Sequence, residues 1–76
     1  MNKSKFITQI GKTIYKIRTE KNLSLHMVAK VAKISTNHLK NIENGNVDCH
    51  LRIIIRICDA MKINVRELFK EADKFS

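Results

Sequence analysis

No proline and only two glycines, Gly11 and Gly45, interrupt the 76 residues of this chain. With nothing to break the backbone hydrogen-bond ladder over long stretches, the sequence points first to an all-α fold. Apolar residues make up 43% of the chain, enough for a packed core and too many for disorder. A chain this short supports one compact core, so the expectation is a single domain over residues 1–76 with no room for a deep catalytic pocket.

Residues 1–4 read as a loose polar start. Ile7, Ile10, Ile14 and Ile17 then recur at helical spacing and mark one face of a first helix that runs to about Lys21 and is ended by Asn22 and Leu23. Ser24 is a suitable N-cap for a second helix over 25–32, with Leu25, Val28, Ala29 and Ala32 inward. Ser35 caps a third, about 36–43, with Leu39 and Ile42 inward, and Asn44-Gly45 stops it. Asp48 is the candidate cap of a fourth helix, about 49–62. Asn64 with Glu67 makes a capping box for a fifth, about 65–73. The fourth helix is apolar over a wide arc. Leu51, Ile54, Cys58 and Met61 form a stripe expected in the core, while Ile53, Ile57 and Ala60 form a second that suits either core or a dimer contact.

The formal charge of +8 is one-sided. Residues 1–42 hold Lys3, Lys5, Lys12, Lys16, Arg18, Lys21, Lys30, Lys33 and Lys40 against Glu20 alone, whereas residues 43–76 hold six bases and six acids. Such a field attracts a polyanion, although a basic surface also serves solubility. No apolar run exceeds three residues, the length of Ile53-Ile54-Ile55, far too short to span a membrane. With no secretory signal and no disulfide framework in Cys49 and Cys58, the expected location is cytoplasmic, both thiols reduced.

The segment from about residue 24 to 44 reads as two short helices joined by a turn at Lys33-Ile34-Ser35. Helices of eight residues are not stable alone and must pack on each other and on the first and fourth. Ala29 allows a close crossing, Ile34 plugs the turn, and Leu39 and Ile42 close the contact. Those four inward residues fix the outer face of the third helix as Thr36, Asn37, Lys40, Asn41 and Asn44. Asparagine pairs bidentately with adenine and the threonine methyl meets the thymine methyl, so this face suits a DNA major groove. A merely solvated face would use better helix formers.

At these residues the chain resembles the Cro/XRE-type, phage-repressor-like helix-turn-helix family. The strings that carry the resemblance are IGKTIYKIRTEKNLS, VAKVAKISTNHLKNIENG and LRIIIRICDAMKINVRELF, with Arg18, Ser24, Ala29, Ile34, Ser35, Leu39, Ile42, Glu43, Gly45 and Leu68-Phe69 in register. The resemblance implies a compact five-helix, lambda-repressor-like DNA-binding domain. It implies base reading by Thr36, Asn37 and Asn41, with Lys40 either reading a base or holding a phosphate. It implies sugar-phosphate contacts by Ser24, Ser35, His38 and Asn44, joined by the turn residue Lys33, and a partly buried structural ion pair between Arg18 and Glu43. Three positions depart from the family pattern. Leu25 replaces a phosphate-anchoring glutamine, Lys33 replaces a turn glycine, and Cys49 replaces a proline. At Lys33 either the backbone keeps φ > 0 at a cost of ~1 kcal/mol or the turn differs.

Other residues carry weaker signals. His26, His38 and His50 do not fall at zinc spacing with the cysteines, and no Ser/His/Asp set or phosphate-binding glycine loop occurs, so neither metal, cofactor nor enzyme chemistry is expected. Asp59, Glu67, Glu71 and Asp73 with Arg56, Arg66 and Lys70 read as a solvated face. Tyr15 either touches a phosphate or sits idle on the first helix.

The expected function is a transcriptional regulator of the repressor kind that binds double-stranded palindromic operator DNA as a homodimer, since one subunit reads too few base pairs to find a genomic site. The candidate dimer surface is Ile53, Ile57, Val65, Phe69 and Phe75. The short length is similar to phage repressors, restriction–modification controller proteins and antitoxin-like regulators, and no small-molecule ligand is expected. Two alternatives are a protein-interaction module on the same fold, for which Leu25 speaks, and a basic amphipathic peptide at a membrane surface.

Overall fold

The computed structural model describes the backbone of residues 2–75 and the side chains of residues 5–74. It contains α1 (Asn2–Glu20), α2 (Leu25–Ala32), α3 (Thr36–Glu43), α4 (Leu51–Ala60) and α5 (Val65–Ala72), followed by a 3₁₀ turn at Asp73–Phe75; no strand occurs among the described residues. α1 lies against α3 and α5, and α4 lies against α2 and α5. The core is built from Ile10, Ile14, Ile17, Val28, Ala29, Leu39, Ile42, Ile54, Ile57, Cys58, Met61 and Leu68, with all five helices contributing. Thr13 is equally buried and satisfies its hydroxyl by donating to the Gln9 carbonyl at 2.7 Å.

Four helix ends are closed in the same way. At the ends of α1, α2 and α4 a non-glycine residue adopts the left-handed conformation: Asn22 (φ 58°), Lys33 (φ 61°) and Lys62 (φ 60°). The following residue, Leu23, Ile34 or Ile63, donates its N–H five residues back, to Arg18, Ala29 or Cys58 respectively, and packs its side chain on the core. Burial of that apolar side chain holds a conformation that local sterics disfavour. α3 ends with Gly45 at φ 74°, where a Cβ would lie 3.1 Å from Thr8 Oγ1 and 3.3 Å from Thr8 Cα. Gly45 rather than Asn44 therefore makes the left-handed step, and Asn44 stays right-handed.

Several sequence expectations are corrected. α1 begins at Asn2, inside the segment expected to be loose. α4 begins at Leu51, and its N-cap is His50 with no side-chain capping bond, rather than Asp48. Val47 and Cys49 pack against the core while Asp48 and His50 are exposed, the alternation of an extended strand-like connection rather than a helix. The buried stripe of α4 is Ile54, Ile57, Cys58 and Met61, which leaves Leu51 57% exposed and places Ile57 fully inside. Ile57 is a core residue and contributes nothing to a dimer surface. α5 begins as expected, with Asn64 Oδ1 accepting from the Glu67 N–H at 2.8 Å and the Glu67 carboxylate accepting from the Asn64 N–H at 3.2 Å.

Candidate nucleic-acid interface

α2 and α3 are both started by serine hydroxyls. Ser24 Oγ accepts from the Met27 N–H at 3.0 Å, and Ser35 Oγ accepts from the His38 N–H at 2.9 Å. Each hydroxyl keeps its own proton to donate outward, so capping and a phosphate contact are compatible. Leu25, where a phosphate anchor is absent, is half-buried against the core.

Burial of Leu39 and Ile42 turns the other side of α3 to solvent. Asn37, His38, Lys40 and Asn44 are exposed, and Thr36 and Asn41 are half-buried at the edges. The Thr36 hydroxyl lies 3.5 Å from Nδ1 of His26 on α2, which joins the start of α3 to the preceding helix. Asn44 lies on the rim of an open groove of 790 Å³ that Thr8, Lys12, Tyr15 and Thr19 of α1 also line. The expected base-reading and backbone residues thus share the two-helix unit and its turn. The groove adds Lys12 and Tyr15 beside the α3 end. Tyr15 is half-exposed, with the Arg18 guanidinium 5.4 Å from its ring centroid.

Three features hold α3 and the turn before it. The first is the fork between Arg18 and Glu43, with Nε to Oε2 at 2.7 Å and Nη2 to Oε1 at 3.1 Å, while Nη1 donates to the Leu23 carbonyl at 2.9 Å. The side chains are only 12% and 6% exposed, and the hydrogen bond to Glu43 holds the Arg18 guanidinium still more firmly protonated. The second is Gly11. A Cβ there would lie 2.8 Å from the Glu43 carbonyl oxygen and would also overlap that of Ile42, so α1 and the end of α3 meet backbone to backbone. The third is Arg56 of α4. Its Nε donates to the Ala32 carbonyl and its Nη2 to the Lys33 carbonyl, both at 2.8 Å.

Gly11 and Arg56 are not evident from the sequence. The Ile10-Gly11 step on an apolar helix face hints at a close crossing, but nothing in the i,i+3 spacing of Arg56 and Asp59 shows that the arginine turns toward the helix-turn-helix instead of its own helix. Among the other candidate residues, Ile53 and Val65 are half-buried and Phe69 is 39% exposed with its ring 6.4 Å from that of Phe6. The side chain of Phe75 lies outside the described residues. Leu51 and Ile55, one turn apart on α4, are also exposed. No group of three or more His, Cys, Asp or Glu able to hold a metal occurs among the described residues, and no described helix is long and apolar enough to cross a membrane.

Residues 11–74 match the family described as Helix-turn-helix domain. Among curated proteins no sequence match is found. Among solved structures, the clp gene regulator ClgR from Corynebacterium glutamicum superposes with a TM-score of 0.89 at 20% identity, covering 92% of this chain and 91% of that one. The restriction-modification controller protein C.AhdI from Aeromonas hydrophila superposes with a TM-score of 0.80 at 27% identity, covering 83% of this chain and 96% of that one. A third, the controller C.Esp1396I, solved as a tetramer in complex with its natural 35 base-pair operator, gives 0.85 at 17% identity over 91% of each chain.

Proposed function

The chain belongs to the helix-turn-helix domain family, the fold of a DNA-binding transcriptional regulator and not of an enzyme, and on that premise we propose that it is a sequence-specific regulator acting on palindromic operator DNA as a homodimer. The observation that carries the reading is the outer face of α3. Asn37 and Lys40 stand free at its centre, flanked by Thr36 and Asn41, on a helix held by the Arg18–Glu43 fork and the Arg56 bonds. Inserted in the major groove, Asn37 and Asn41 offer the amide donor and acceptor that match adenine, and Thr36 offers a methyl and a hydroxyl. Lys33, His38, Asn44 and the Ser24 and Ser35 hydroxyls supply phosphate contacts around them, and Lys40 either joins those contacts or reads a base. Two copies would read half-sites about 34 Å apart. The operator complex of C.Esp1396I, a protein of the same fold, supports duplex DNA as the partner. The setting for such a regulator is the cytoplasm.

Selection of bound sites from random duplex DNA tests the proposal. A palindromic consensus is expected, and Asn37→Ala should relax base preference at one position in each half-site. An Asn37→Ala protein with unchanged affinity and consensus would remove α3 as the reading helix. The second reading, a protein-interaction module, draws on Leu25, packed inward where a phosphate anchor is missing, and on the exposed Met27 and Val31 one turn apart on α2. It predicts no specific DNA affinity at ~150 mM salt, where non-specific binding is already weak.

A further inference from the structure

The turn between α2 and α3 is not self-sufficient. Its pivot, Lys33, sits at φ 61° and ψ 43°, a conformation that costs an L-residue energy and that glycine would adopt freely. The Lys33 N–H bonds back to Lys30 and the Ile34 N–H to Ala29, which closes α2. The carbonyls of Ala32 and Lys33 remain, and both are taken by one guanidinium from α4, through Arg56 Nε and Nη2 at 2.8 Å each. A guanidinium presents these two donors in one rigid plane, so it fixes the relative orientation of two successive peptide groups; an ammonium at the same place satisfies one of them without fixing the plane. Arg18 holds the two ends of the unit in a similar way, bonding the Leu23 carbonyl just before α2 and the Glu43 carboxylate at the end of α3. The α2–α3 unit is therefore gripped at its ends and at its turn by arginines from helices outside it.

We propose that Arg56 is a positioning residue for base recognition: from α4, it sets the α2–α3 turn and hence the angle at which Thr36, Asn37 and Asn41 meet the DNA. The inference rests on the reading of α3 as a recognition helix. Arg56 lies off that helix, and its effect on selectivity passes through the peptide planes at Ala32 and Lys33. Base contacts are sensitive to sub-ångström placement because a bidentate bond needs both distances at once, whereas phosphate contacts by flexible lysines tolerate a tilt of the helix.

The test compares wild type with Arg56→Ala and Arg56→Lys, the latter retaining the charge, at a temperature where circular dichroism shows each folded. Two quantities are read. One is the exchange rate of the Ile34 amide relative to that of Ile14 in the core. The other is the ratio of affinities for the duplex selected by wild type and for a scrambled duplex of equal length, at one salt concentration. We expect both variants to speed Ile34 exchange relative to Ile14 and to lower the affinity ratio by about tenfold, the scale of one good base contact. Affinity of Arg56→Lys for the scrambled duplex should stay within about twofold of wild type, since the charge is kept. An unchanged Ile34 rate overturns the proposal, as does a looser turn with an unchanged affinity ratio, which would make Arg56 structural only. If wild type itself shows no preference for any duplex, the recognition-helix reading fails, and the exchange rates alone still decide whether Arg56 holds the turn.

Discussion

Arg18 and Glu43, 25 residues apart in the chain, form a two-pronged ion pair with side chains only 12% and 6% exposed. Removing one partner leaves a poorly solvated charge. Arg18→Ala or Glu43→Ala should each cost about 3–5 kcal/mol. A domain of 76 residues has roughly 4–11 kcal/mol in total, so either variant should lose on the order of half its stability and unfold at a much lower urea concentration. Replacing both partners together by Met and Leu should recover most of the loss, because no charge is then stranded. Urea denaturation of the three variants measures both effects.

Gly11→Ala sets two effects against each other. Alanine favours a helix interior over glycine by about 0.8–1.0 kcal/mol. The added methyl, however, would meet the backbone carbonyls of Ile42 and Glu43, the latter at 2.8 Å, and backbone yields far less than a flexible side chain. Overpacking of this kind costs about 1–3 kcal/mol. We expect net destabilisation, seen as a lower midpoint of thermal unfolding. A rise in the midpoint would mean that α1 and α3 separate without penalty.

Local signals written in adjacent residues are the ones that read directly. Ser24 and Ser35 place α2 and α3 at the bounds observed, and Asn64 with Glu67 places the start of α5, because a capping bond spans only three residues. The start of α4 does not read, since His50 caps with its backbone alone and Asp48, the residue whose type suits a cap, lies two positions too early. The Val47-Cys49 alternation was the available sign of an extended connection. Ile57 and Leu51 exchange the roles periodicity suggests because the rotation of a helix apolar over so wide an arc is set by its neighbours, here α2 and α5. In the candidate interface, the exposed face of α3 follows from its pattern, whereas the reach of Arg56 to the turn depends on tertiary placement.

Lys40 offers a way to separate its two roles. It is exposed on α3 between Asn37 and Asn41. If it holds a phosphate, Lys40→Ala should weaken binding to all sequences alike and reduce the slope of log affinity against log salt by about 1. If it reads a base, typically guanine, the consensus should relax at one position by about 1–3 kcal/mol. Titrations over a series of salt concentrations, on consensus and singly substituted duplexes, distinguish the two.

Stability should fall toward both pH extremes for identifiable reasons. Bonds from Lys74 and Lys16 hold the Glu71 carboxyl below its usual range. Its folded-state value lies below the unfolded one, so this contribution is complete above the ordinary carboxylate range and is lost as pH falls through the depressed value. At the other end, burial pushes the Cys49 and Cys58 thiols up from 9.0 to about 11. Their folded-state values exceed the unfolded ones, so the unfolded chain ionises first. The penalty is absent below pH 9 and grows as pH rises toward 11. Urea midpoints measured from pH 8 to 11 should decline less in a Cys49→Ser, Cys58→Ala protein than in wild type, and parallel declines would remove the thiols from the account.

The proposed dimer surface must be separated from the core that it borders. Phe69 is 39% exposed against Phe6, while Ile57 on the neighbouring helix is wholly buried. Phe69→Lys should therefore leave the thermal midpoint of a dilute, monomeric sample within a few degrees of wild type, yet shift sedimentation at higher concentration toward monomer. It should also weaken binding to a full palindrome far more than to a single half-site, since only the palindrome gains from two linked copies. Ile57→Ala should do the reverse, costing about 2–5 kcal/mol of stability through the cavity it leaves, with association altered only as far as folding is. A Phe69→Lys protein that sediments and binds palindromes as wild type does would move the dimer contact away from α5, toward the exposed Leu51 and Ile55 of α4.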